Sequence, residues 1–128
     1  MPSEPLSLGI LLLSGSHDRA HYAFVLAAGA AALGRNVTLF ASNAGCRALF
    51  FDAAAVAADP REARTLAAGV AGVAELRDAC LELGVRMSVC EAGMRIEGLA
   101  ADAFLPGIEV RGVTSFLSDI GNGQIVSL

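Results

Sequence analysis

LSLGILLLSGSHDRAHYAFVLAAGAAALGRNVTLFA, residues 6–41, decides the reading of the fold. Its first eight residues, LSLGILLL, form a short and nearly continuous apolar run, the pattern of a strand buried on both faces. SGSHD then turns the chain. His17 to Leu33 reads as a long Ala-rich helix, with Ser16 or Ser14 as N-cap and Gly34 as its stop. Apolar residues occupy almost every side of this helix, so a second face is left to bury once the first lies on a sheet. NVTLFA (36–41) is a second strand, rich in β-formers.

The same alternation continues outward from this unit. SNAGCRALFF begins a short helix carrying Cys46. Asp59-Pro60-Arg61-Glu62 has Asp at the N-cap, Pro at the first helical position and Glu at the third, a capping box that predicts another short helix. A mobile, Gly-punctuated segment, Ala67 to Gly72, flanks it. AELRDACLELG (74–84) is an amphipathic helix, with Leu76, Ala79, Cys80 and Leu83 at three- and four-residue spacing and Gly84 at its end. VRMSVC (85–90) is the third strand, residues 91–97 a short helix or turn, and IEVRGV (108–113) the fourth strand. VTSFLSDI is a short helix and GQIVSL (123–128) the fifth strand. Strands alternating with helices predict an α/β fold, a three-layer α/β/α sandwich with a mainly parallel five-stranded sheet. The chain has 128 residues and neither a clear linker nor an internal repeat, so it reads as a single domain, 1–128.

Composition narrows the function. Hydrophobic residues make up 55% without counting the 14 Gly, and aromatics only 5%, so the excess is Ala, Val and Leu. With Gly added, the apolar share exceeds the usual ~45–50%. Apolar surface left over after one domain folds predicts a homo-oligomer. The net charge is −4. All nine basic residues are Arg, and they form no run, which argues against nucleic-acid binding. No apolar run reaches the ~18–20 residues of a membrane span. MPSEPLSLGI lacks the charged and apolar regions of a signal peptide. Three Cys at irregular spacing argue against a disulfide framework and for a reducing cytoplasm.

Ligands of parallel sheets sit beyond the carboxyl ends of the strands. Those ends are Ser14–Asp18, Ala41–Cys46, Cys90–Arg95 and Gly112–Ser115. RMSVCEAGMR (86–95) runs an apolar β-type stretch into Cys90, and a helical turn follows. Backbone N–H groups at a helix start favour a thiolate over a thiol. Arg95 adds positive potential and Glu91 opposes it. From position alone Cys90 is a nucleophile, a metal ligand or core filler. Cys46 is a resolving thiol for Cys90 or a packing residue, and Cys80 reads as core. His17 and His21, four apart, have the spacing of two metal ligands, and Cys90 would make a third. No HExxH or CxxC accompanies them, so they read instead as a solvated helix start, with no metal or other cofactor assigned. Ser14, Ser16 and His17 in SGSHD form a candidate anion- or ligand-binding edge. The stretch is not a GxGxxG element, so no nucleotide site is assigned.

CEAGMRIEGLAADAFLPGIEVRGVTSFL (90–117) resembles the pattern of the DsrE/DsrF-like family of small sulfur-relay proteins. That pattern has a strand-end Cys, a small-and-Met-rich turn, a Gly-hydrophobic step and a "PG-V-E-V-GGV-FL" block. VTLFASNAGCRALF (37–50) is similar to the "VTLFFTFFG--AL" element of a subgroup sometimes labelled peroxiredoxin-like, with Ser42, Asn43 and Cys46 in place of bulkier or aromatic residues. The resemblance covers nearly the whole chain. It implies a parallel α/β/α sheet, trimers or hexamers, sulfur donor and acceptor proteins as partners, and sulfur carried as a Cys persulfide. Cys90 matches the sulfur-carrying position. Arg111 departs from the pattern, which often has Gly there. On this reading Cys90 receives and passes on one sulfur, and Arg95 and backbone N–H groups hold the anionic form. Cys46 assists at most, Gly93 and Gly112 let backbone approach the sulfur, and the 52–72 segment covers the site. A binding or assembly module of the same fold, and a thiol redox protein using Cys90 and Cys46, are the competing readings.

Overall fold

The computed structural model describes residues 6–52 and 54–128. The readings made on residues 1–5 and on Ala53 lie outside the described residues. Five strands, β1 (Leu8–Leu12), β2 (Val37–Ala41), β3 (Arg86–Cys90), β4 (Glu109–Arg111) and β5 (Gln124–Ser127), form one sheet in the order β4-β3-β2-β1-β5. Every neighbouring pair is parallel. The helices are α1 (His17–Ala32), α2 (Ala54–Ala57), α3 (Pro60–Ala67), α4 (Val73–Glu82), α5 (Glu91–Ile96) and α6 (Val113–Ile120). The predicted three-layer architecture and all five predicted strands are present.

Strand periodicity sorts side chains onto two unequal faces. Leu8, Ile10 and Leu12 of β1, Val37, Leu39 and Ala41 of β2, and Met87 and Val89 of β3 join Ala20, Ala23, Phe24 and Ala27 of α1 and Cys80 of α4 in the main core. The small side chains along α1 let it lie close over this face. On the opposite face the cluster is smaller: Phe40, Phe116 and Ile120, with Leu11 and Cys90 packed against them. Phe40 and Phe116 stack with ring centroids 4.9 Å apart. A Cβ on Gly9 would come within 2.8 Å of Phe116 and Ile120, so a side chain here would force those two residues of α6 to shift.

Arg111, the departure from the family pattern, ties the edge strand to α6. Its guanidinium donates to Asp119 and also pairs with Glu109. The Arg111 hydrogen bond holds the Asp119 carboxyl below its ordinary range.

Three local expectations hold in outline and differ in detail. Ser16 is the N-cap of α1 by backbone conformation, but its side chain makes no capping bond. Its N–H donates instead to Ser14 Oγ. The segment carrying Cys46 is a 3₁₀ helix, Asn43–Leu49, entered through Asn43 at a φ of 53°, a left-handed conformation Asn tolerates better than most residues. The capping box at the start of α3 is half formed. The Asp59 carboxylate accepts from the Arg61 N–H, but Glu62 turns away into the body of the protein.

Candidate functional site

Cys90 ends β3 and stands at the N-cap of α5. Its register partner on β4 is Arg111, so the neighbouring strand ends beside it and Gly112 caps α6 one residue later. Two helix starts therefore flank the thiol. Cys90 is half-buried and lines an open cavity of about 420 Å³ with Glu91, Ala92, Arg95, Gly112 and Val113. Arg95 is among the residues lining that cavity. Its Nε lies 3.7 Å from Glu91 Oε1, so the two charges at this cavity offset each other.

The position of α5 depends on a close approach. A Cβ on Gly93 would lie 2.1 Å from Ser42 Oγ and 2.4 Å from the Asn43 nitrogen. Arg47 and Glu97, paired at 2.9 Å, close the other end of the same contact. The reading that Gly93 admits backbone to the sulfur is corrected: its missing side chain admits the turn after β2. Gly112 is corrected too. A Cβ there meets nothing closer than 4.0 Å, so its lining role needs no close approach.

The other thiols are enclosed. Cys46 is 0% exposed and its Sγ donates to the Ala41 carbonyl. Burial pushes its thiol up to about 11, and electrostatic interaction with Cys90 and Glu97 adds to the effect. Cys46 is therefore a protonated thiol at neutral pH. Cys80, also 0% exposed, is pushed up to about 11 by burial and donates to the Phe24 carbonyl.

The two histidines serve neither of the roles considered for them. His17 is buried, and its Nε2 hydrogen-bonds Glu62 Oε1 at 2.8 Å. His21 Nε2 donates to the Ala71 carbonyl at 2.8 Å. They do not converge with Cys90, and among the described residues no group of three or more His, Cys, Asp or Glu side chains is arranged to hold a metal ion. Of the SGSHD edge, His17 is corrected. Ser14 Oγ and Ser16 Oγ bond each other at 2.9 Å, and His17 points inward. Nor do residues 56–72 line the Cys90 cavity; Glu62 and Ala71 tie this stretch to α1.

Sequence reasoning missed Glu62, a buried carboxylate, and Arg77, a buried guanidinium whose Nη1 donates to the Ala48 and Phe50 carbonyls. Arg77 falls four residues after Val73 and three before Cys80, on the same helix face, but its charge reads as solvent-facing.

A parallel α/β/α sheet with one accessible thiol at a strand end defines the class. Residues 53–127 match the DsrE/DsrF/DrsH-like family, and the chain belongs to that family. It is 26% identical to "Sulfur carrier protein DsrE2" of Allochromatium vinosum, over 95% of this chain and 97% of that protein. Among solved structures, the ychN protein from E. coli has the same fold at a TM-score of 0.64 and 13% identity, covering 96% of this chain and 99% of that one. MTH1491 from Methanobacterium thermoautotrophicum matches at a TM-score of 0.61 and 14% identity, with the same coverage of both chains. Among the described residues no helix is long and apolar enough to cross a membrane.

Proposed function

We propose that this protein is a sulfur relay carrier that holds sulfane sulfur as a persulfide on Cys90. The observation that carries the reading is the sorting of the three thiols: Cys90 alone opens to a cavity, while Cys46 and Cys80 are buried. The family and the name of the Allochromatium relative supply the chemistry. The Cys90 thiolate attacks the terminal sulfur of a donor persulfide, R–S–SH. The donor S–S bond breaks, RS⁻ leaves and takes up a proton, and Cys90 becomes Cys–S–SH. An acceptor thiolate takes that sulfur by the same exchange, so no net oxidation occurs. Arg95 and the two helix starts favour the anionic persulfide. Cys46, being protonated, takes no part in the first attack.

The protein works on this reading as a single domain in the cytoplasm, with donor and acceptor proteins as partners. It works as a homo-oligomer, a trimer or hexamer. Exposed Leu13, Val113, Leu117 and Ile125 support association of copies; light scattering that finds only monomer at micromolar concentration removes this part.

The deciding experiment is intact mass spectrometry after incubation with a persulfide donor. Wild type should gain one sulfur, reversed by reductant, and Cys90→Ser should gain none. Equal loading of the variant refutes the assignment to Cys90.

A further inference from the structure

Residues 57–72 are attached to the rest of the protein in an unusual way. All of them are described, and none joins either hydrophobic cluster, although Val56 and Val73 at their two ends are core residues. Leu66 and Val70 face solvent, and the one buried residue of α3 is Glu62. This stretch is therefore held by polar contacts. Glu62 Oε1 accepts from His17 Nε2 at 2.8 Å, and both carboxylate oxygens accept from the Val73 N–H at 3.2 Å. His21 Nε2 donates to Ala71 O at 2.8 Å. The two imidazoles stack one turn apart on α1, with centroids separated by 5.8 Å. Arg61 also attracts the Asp18 carboxylate, but in full solvent, where such a contact contributes little.

Segments with few buried apolar contacts open locally at a free energy below that of global unfolding. The closed state here also has a built-in cost. With Nε2 spent on Glu62, His17 Nδ1 is buried without a partner. Opening returns it to water. We infer that residues 57–72 form a flap that opens as one unit about Val56 and Val73, clasped shut by His17 through Glu62 and by His21 through Ala71. Opening uncovers the His17 imidazole and the first N–H of α4. This device is independent of the Cys90 reading. It also accounts for the i, i+4 histidine pair.

Hydrogen exchange of the intact chain, read by mass spectrometry, tests the flap. Amides of 61–70 should exchange at least about tenfold faster than those at the centres of α1 and α4. Glu62→Ala should accelerate them at least about tenfold more, with Ile10, Leu39 and Val89 unchanged, and Glu62→Gln, which keeps an acceptor, should restore most of the protection. Trypsin should cut Glu62→Ala first at Arg61 or Arg64. His21→Ala, which cuts the Ala71 tie and the stack on His17 but leaves Glu62 in place, should give the same pattern at about threefold or more, and decides the matter if Glu62→Ala does not fold. Exchange of 61–70 in step with the strands, or no change on cutting either tie, overturns the inference.

Discussion

Gly93→Ala tests whether the geometry around Cys90 is set from the turn after β2. The added methyl would sit 2.1 Å from Ser42 Oγ and 2.4 Å from the Asn43 nitrogen. Real Cβ contacts essentially never fall below 3.0 Å, so α5 must withdraw by about 0.9 Å or the turn must yield. Ser42 is buried and bonded to Asn43 Oδ1, and the second clash is with backbone, so no rotamer change relieves both. Overpacking of this kind costs about 1–3 kcal/mol. Replacing a helical Gly by Ala returns at most about 1 kcal/mol. The expected net loss is about 1–2 kcal/mol, or roughly 4–8 °C in Tm for a chain of this size. The shift moves the residue chain that begins at Cys90, so its alkylation rate should change severalfold. Gly112→Ala is the matched control. It lines the same cavity, but its Cβ has open space, and both readouts should stay at wild-type values. Thermal unfolding and timed alkylation of the two variants check this. Equal behaviour of Gly93→Ala and wild type in both assays would show that α5 does not take its position from Ser42 and Asn43.

Two further perturbations follow from the buried polar and ionisable groups. For Cys46 and Cys80 folding favours the protonated thiol, so their stabilisation is complete below the ordinary thiol range and is lost as pH rises toward about 11. The urea midpoint should fall between pH 8 and pH 10.5, and Cys46→Ala/Cys80→Ala should flatten that fall; an unchanged slope would count against buried thiols as its source. Arg77→Met should cost about 2–3 kcal/mol, because it strips the donor from the Ala48 and Phe50 carbonyls, and a urea midpoint within error of wild type would refute that role.

The strands and long helices were readable because each is a periodic pattern over several residues. LSLGILLL and VRMSVC run apolar because a parallel strand is covered on both faces. What escaped was decided by residues far away in the chain. Asp59-Pro60-Arg61-Glu62 satisfies the local rule for a capping box, and Asp59 obeys it. Glu62 has better partners in His17, 45 positions earlier, and in the Val73 N–H. Tertiary pairing overrode the local motif. The same holds for Gly93. Its neighbour Cys90 suggested a role at the sulfur, but the atoms that exclude a side chain belong to Ser42 and Asn43. The histidine spacing was visible as a pattern, and only the position of α3 shows what the pattern holds.

The three cysteines illustrate why site chemistry here rests on topology more than on residue type. Cys80 lies mid-helix on the face turned to α1, and Cys46 lies in a turn tucked under α5; both lose solvent and, with it, thiolate. Cys90 belongs to the thinner face, which one eight-residue helix covers. A parallel sheet brings every strand's carboxyl end to one edge, and register sets Arg111 beside Cys90, so that the chain must turn into α5 and α6 side by side. The thiol is left at the gap between those two starts, where α6 has not yet come down onto Phe40 and the sheet. A cysteine two residues earlier, at Ser88, would lie under the helix and be shut in, since Ser88 itself is buried. Accessibility at Cys90 is thus a property of the last residue of β3, and moving the thiol by one strand repeat in the inward direction would enclose it like the other two.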